Sequence, residues 1–254
     1  MAGEAVIVDF TTTNYAGRAH FIDVDVPAGT VDGMLTLLCV FAGTSGASPS
    51  ISPPLGTTWA RLQDVNGDPV SVQVSDGGFD GNIELYWRQW NTGDPTTFTF
   101  GTASSASTEN NCAVMLAIDG WDGAPPVVVG FDFGTDGGTP PQGKTITVDP
   151  DDAFDTTLND LALFIGQNWD LYGSGNLPTS ATQTYNEEVN SSATLFYVAS
   201  ADYDEATIDT AVQADANAVA EPWSGFLVYI AGNAAPAGTI IPQVVYNRRE
   251  QGIL

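Results

Sequence analysis

Asp32-Gly33-Met34-Leu35-Thr36-Leu37-Leu38-Cys39-Val40-Phe41 is a turn followed by a run with one polar residue. A run this short, apolar on both parities and entered through a glycine turn, reads as a strand buried on both faces. A second such stretch is Asn159-Asp160-Leu161-Ala162-Leu163-Phe164-Ile165. The segments between and around these two runs keep a period of two. Ile22, Val24 and Val26 alternate with Phe21, Asp23 and Asp25. Val70, Val72 and Val74 alternate with Ser71, Gln73 and Ser75. Ile83, Leu85 and Trp87 alternate with Glu84, Tyr86 and Arg88. Phe98 and Phe100, Ala113–Ile118, Val127–Phe133, Ile146–Val148, Leu195–Val198, Phe226–Ile230 and Ile240–Tyr246 complete the strand set. Gly and Pro, 27 and 15 of them, punctuate these runs, and no segment carries a capped helical stripe. The pattern predicts an all-β chain, a sandwich of jelly-roll type.

The order of motifs repeats. Leu35–Leu38, Thr58–Leu62, Ile83–Trp87, Thr97–Phe100 and Ala113–Ile118 run parallel to Leu161–Ile165, Gln183–Tyr185, Ala193–Tyr197, Thr207–Thr210 and Gly225–Ile230. The offset drifts between roughly 110 and 126 residues, too long for a solenoid. Two similar halves, about 18–133 and 143–232, are therefore expected to supply the two sheets of one sandwich over residues 1–232. An extended C-terminal arm, 233–254, follows.

Charge narrows the partners. The 254 residues hold 31 Asp plus Glu against 6 Lys plus Arg, a formal charge of −25. Nucleic acid is excluded as a partner, because phosphate binding runs on Lys and Arg. An anionic membrane surface is repelled for the same reason, and no apolar run is long enough to insert. The acidity itself has two readings: solubility and mutual repulsion of copies, or a surface for cations or a basic partner. The N-terminus has no basic region leading into an apolar stretch, so synthesis in the cytoplasm without an export signal is expected. Cys39 and Cys112 both sit in apolar runs and read as reduced core residues, with a bridge between adjacent strands as the alternative.

A family resemblance emerges from the order of several stretches. They are Val26-Pro27-Ala28-Gly29-Thr30-Val31-Asp32-Gly33, Pro53-Pro54-Leu55-Gly56-Thr57-Thr58-Trp59, Leu85-Tyr86-Trp87-Arg88, Gly93-Asp94-Pro95-Thr96-Thr97-Phe98-Thr99-Phe100 and Ala117-Ile118-Asp119-Gly120-Trp121-Asp122. From about residue 18 to 232 the chain resembles β-sandwich structural proteins of tailed phages and related viruses, the minor tail or decoration type. It departs from the pattern at Asp119-Gly120-Trp121, where a Tyr- or Phe-Arg-Gly turn is expected. The resemblance implies a non-enzymatic component on the virion exterior, made in the host cytoplasm. Capsid decoration or vertex attachment is favoured over a tail part. Partners would be other virion proteins and copies of the chain itself.

Motifs for chemistry are sparse. His20 is the single histidine and has no nucleophile elbow to serve. One His and two separated Cys do not make a zinc set. Asp64-Val65-Asn66-Gly67-Asp68 and Asp149-Pro150-Asp151-Asp152 are oxygen-rich, but neither has the spacing of a helix-flanked calcium loop. No catalytic, metal or cofactor residue is assigned. The rival to the virion role is a carbohydrate-binding module contacting host surface glycans. Trp87, Trp90, Trp121, Trp169 and Trp223 are the candidate rings, with Trp59, Trp87 and Trp223 also fitting core positions. Trp169 and Tyr172 lie in a polar, Gly-rich loop and are the first choice for glycan contact. In the arm, Ile240, Ile241, Val244, Val245 and Tyr246 want a surface to bury against, and Arg248 and Arg249 hold two of the six basic charges. The arm is read either as a last strand of its own domain or as a segment that docks on a neighbouring subunit by strand addition.

Overall fold

The computed structural model describes residues 4–16, 20–44, 49–75, 80–103, 110–135, 144–146, 160–168, 183–190, 193–200, 212–214 and 222–233. Every regular element among the described residues is a β-strand. The first ten are β1 (Val6–Ala16), β2 (Phe21–Asp25), β3 (Leu35–Thr44), β4 (Ser50–Ser52), β5 (Ala60–Arg61), β6 (Gln63–Asp64), β7 (Ser71–Ser75), β8 (Asp80–Gln89), β9 (Thr97–Ala103) and β10 (Asn110–Asp119). The rest are β11 (Val127–Thr135), β12 (Lys144–Ile146), β13 (Leu161–Asn168), β14 (Gln183–Asn190), β15 (Ala193–Ser200), β16 (Val212–Ala214) and β17 (Pro222–Ile230).

They form two six-stranded sheets and two small ones. The first large sheet runs β1-β10-β3-β8, with β5 and β7 both pairing with β8. The second runs β14-β15-β13-β17-β11-β6. The small sheets are β2-β9-β4 and β12-β16. The first large sheet is the middle layer. Leu35, Leu37, Cys39 and Phe41 of β3, with Leu85, Val114 and Leu116, pack against Leu163, Ile165, Phe226 and Val228 of the second large sheet. On the opposite parity, Leu38, Val40, Tyr86 and Met115 pack against Ile22, Val24, Ile51, Phe98 and Phe100 of the small sheet. That is why β3 is buried at all ten positions: each of its faces meets a different core. The small-sheet strand β2 is buried only at Ile22 and Val24, the half-exposed alternation its sequence predicted.

Both halves use one strand order. β1-β10-β3-β8-β7 in the first large sheet corresponds to β11-β17-β13-β15-β14 in the second, and all these pairs are antiparallel. The registers agree as well: Leu35 lies opposite Ile118, and Leu161 opposite Ile230. β2 pairs with β9 as β12 pairs with β16. The two large sheets meet with their strand orders reversed, β1 lying against β14 and β7 against β11, the isologous arrangement of a two-fold dimer fused into one chain.

Three expectations change. The first repeat begins at β1, ahead of residue 18, and β11 belongs to the second sheet, so the strand order joins the halves between Asp119 and Val127. Each half supplies a large sheet and its own small sheet, rather than one sheet apiece. Within the repeat, Trp87 and Ala199 hold equivalent registers opposite Leu37 and Leu163, where the sequence pattern had matched Trp87 with Tyr197. A two-residue slip keeps every side chain on its face, so the hydrophobic pattern alone does not detect it.

Cys39 and Cys112 are unbridged and buried. Cys39 lies opposite Val114, and Cys112 opposite Phe41. They are diagonal neighbours on adjacent strands, a relation that sets Cα atoms about 7–8 Å apart, beyond the usual reach of a disulfide.

Candidate functional site

One short segment joins the two large sheets. Ala60 and Arg61 pair with Trp87 and Tyr86 at the edge of the first sheet. Two residues on, Gln63 and Asp64 pair in parallel with Val127 and Val128 at the edge of the second. Leu62, between them, is fully buried and plugs the core; its N–H donates to Leu85 O at 2.9 Å, and its carbonyl accepts from Val70 N at 2.9 Å. The chain thus turns a corner between sheets and covers part of both edges.

A groove of about 180 Å³ opens at this corner. Trp87 and Ala60 line it together with Arg61, Gln63, Asp64 and the Pro125-Pro126-Val127 segment that enters the second repeat. Trp87 continues the inward parity of Ile83 and Leu85, but at the end of the sheet it is only half-buried. Its ring meets Trp121 edge-on, centroids 6.0 Å apart. Trp121 is itself anchored, its Nε1 donating to Gly33 O at 2.9 Å. The indole lining the groove is therefore held by a second, tethered indole.

Asp64 closes the loop beside the groove. Its Oδ1 accepts from Asn66 N at 2.9 Å and Asp68 N at 2.8 Å, and its carbonyl from Gly67 N at 3.0 Å. Gly67 has φ of +86°, which a side chain would strain. The N–H groups, that of Asp68 foremost, hold the Asp64 carboxyl below its usual range. The acidic loop thus satisfies its oxygens internally. Among the described residues no group of three or more His, Cys, Asp or Glu could hold a metal ion; Asp149–Asp152 lie outside them.

Behind the corner, on the opposite face of β8, sits a buried polar cluster. Glu84 is 3% exposed. Its carboxylate takes Arg61 Nη2 at 2.5 Å, Asn82 Nδ2 at 3.1 Å and the Tyr86 hydroxyl. Asn82 Oδ1 accepts from Ser71 Oγ at 3.2 Å. Burial, then the hydrogen bond to Glu84, pushes the Tyr86 phenol up. A carboxylate with three donors on it is occupied; its chemistry here is to tie β5, β7 and β8 together. Sequence alternation had set Glu84 and Arg88 opposite the apolar parity without revealing that both are buried.

The remaining candidates are placed as follows. His20 is exposed, one residue ahead of β2, its carbonyl accepting from Thr102 N at 2.8 Å. Trp59, Trp90 and Trp121 are buried and serve the cores or sheet ends. Trp169 and Tyr172, and the whole set Ile240, Ile241, Val244, Val245, Tyr246, Arg248 and Arg249, lie outside the described residues. The last described stretch is clasped to the end of the first repeat: Asn233 N donates to Gly120 O at 2.7 Å, and Asn233 Nδ2 to Trp121 O at 2.9 Å. Asp119-Gly120-Trp121 is thus the site of a contact between the two halves. Sequence does not reveal the corner groove, because its lining residues come from segments more than 20 residues apart. No protein-family model matches the chain, and no curated protein matches it.

Proposed function

We propose that the protein is a non-enzymatic structural component on the exterior of a tailed virus, in the role of capsid decoration or vertex attachment. The observation that carries this reading is the path of the first repeat. The chain passes from β1 to β2 to β3 to β4, and again from β8 to β9 to β10, changing sheet at each step. β1-β10-β3-β8 facing β2-β9-β4 supports a jelly-roll reading, an architecture used by viral capsid and lectin domains. Fold analogy alone does not assign function; the order of motifs from Val26 to Asp122 supplies the second support. Repetition of the unit, with the large sheets burying each other, suits a rigid exterior part. Mass spectrometry of purified particles of the virus encoding the chain should detect it at fixed stoichiometry. Its presence only in the infected-cell lysate would refute the assignment.

Docking on the virion falls to the arm in this reading. Arg248 and Arg249 oppose the acidic body of a neighbouring copy or capsid subunit, and the aliphatic set from Ile240 to Tyr246 supplies buried area. An exposed ion pair is worth about 0–1 kcal/mol, a fully buried aliphatic side chain about 1.5–3 kcal/mol, so the apolar residues hold and the arginines orient. Because Asn233 belongs to the clasp, the informative truncation falls after Asn233. The shortened chain is expected to keep its unfolding temperature and lose attachment to particles. A large drop in that temperature would instead make the segment an ordinary part of the body.

A further inference from the structure

We propose that the corner groove is a subsite for a single neutral or amino sugar residue, with the Trp87 indole as its stacking platform. Three observations carry this. First, the ring is half-buried and braced: Trp121 meets its indole at 6.0 Å, and Trp121 is tethered to Gly33 O. A braced aromatic surface loses little freedom when a ligand seats on it. Second, the groove is amphipathic. Trp87, Ala60 and Pro126 give apolar surface, while Gln63 and Asp64 stand at its polar side. A pyranose has the matching shape, one face of C–H groups and an edge of hydroxyls. Third, the volume of about 180 Å³ is below the roughly 300–1,000 Å³ of a pocket for a drug-sized molecule. It fits one ring rather than a peptide segment.

Charge selects among sugars. Arg61 and Asp64 both line the groove, but the Arg61 guanidinium is engaged by Glu84 and the chain carries −25, so a sialylated or sulfated residue is repelled and a neutral or amino sugar is admitted. A single shallow ring contact is weak, and useful retention comes from many copies acting together. The subsite does not depend on where the protein is displayed.

The test is saturation-transfer NMR on the full chain with methyl glucoside, methyl galactoside, N-acetylglucosamine, glucosamine and sialyllactose. Transfer to the ring C–H protons of at least one neutral or amino sugar is expected, and none to the sialic acid ring of sialyllactose. Gln63 is exposed, so Gln63→Ala should leave thermal unfolding unchanged and weaken binding about three- to tenfold, the loss of one neutral hydrogen bond. Trp87→Leu should abolish transfer. Since that change also touches the core, its reading is conditional on an unchanged far-ultraviolet spectrum, and Gln63→Ala decides if Trp87→Leu does not fold. No transfer with any neutral or amino sugar, or transfer indifferent to Gln63→Ala, overturns the proposal; in the second case the contact lies elsewhere on the chain.

Discussion

Above about pH 8.5 the folded protein is expected to lose stability at up to roughly 3 kcal/mol per pH unit, shared between two buried cysteines. Cys39 and Cys112 are 0% and 1% exposed, and burial raises both thiols far above the free value. The folded state keeps its thiol protons where the unfolded chain has released them. The unfolded state then binds fewer protons, so stability is complete below the unfolded thiol value and falls as pH rises through it. By about pH 10.5 the loss approaches 5 kcal/mol, comparable to the whole net stability of many domains. Tyr86, and Tyr229 pushed up to about 12 by burial and then Asp160, add to the same limb once pH exceeds the free tyrosine value. Urea unfolding under reductant, repeated from pH 7 to 10.5, measures the slope. The double variant Cys39→Ala with Cys112→Ala should start lower at pH 7, through lost packing, and flatten the limb between pH 8.5 and 10. An equally steep limb in the double variant would refute the account.

Replacing Asp94 with alanine should cost about 3 kcal/mol. Its Oδ2 lies 2.5 Å from Arg88 Nη2, in a pair whose side chains are 18% and 5% exposed. The Arg88 guanidinium lies against two rings that touch each other, 5.2 Å from Phe98 and 5.7 Å from Trp59. Asp94 also accepts from Asn91 N at 2.8 Å, closing a turn in which Gly93 has φ of +98°. Removing it leaves a buried cation without its counter-charge and a turn without its acceptor. Breaking a buried pair in this way costs about 3–5 kcal/mol, and the partial exposure of Asp94 argues for the low end. Adding Arg88→Met removes the stranded charge while keeping a flexible apolar filler. The double variant should therefore be more stable than Asp94→Ala alone, which urea midpoints compare directly. A double variant less stable than the single one would show that the cation–ring contacts outweigh the charge pairing.

Strands with strong alternation were legible, and so was the doubling. Leu35–Phe41 and Leu161–Ile165 are recognisable as related because a strand covered on both faces leaves a continuous apolar run. β1 was not legible. Val6-Ile7-Val8-Asp9-Phe10-Thr11-Thr12-Thr13 lies at a sheet edge, where Ile7 is buried while Val6 and Val8 are exposed. A register shift between Ile7 and Asp9 then breaks the period of two. Its counterpart β11 is recognisable as a strand, but periodicity says nothing of which sheet it joins, and it pairs with β17.

The amino-acid sequence by itself determined the all-β class, the parity of β2, β7, β8 and β9, the buried cysteines and the net acidity. These follow from local patterns: an alternation is set by neighbours two residues apart, and a net charge by counting. Tertiary structure alone decided the layering, the burial of Glu84 and Arg88, and the corner groove. Glu84 is satisfied by Arg61, 23 positions earlier by number, and the groove assembles Trp87 with Gln63 and Pro126. A carboxylate or guanidinium can be buried only where a partner from another segment offsets its desolvation. That partner is chosen by strand pairing between distant segments, which no local periodicity encodes.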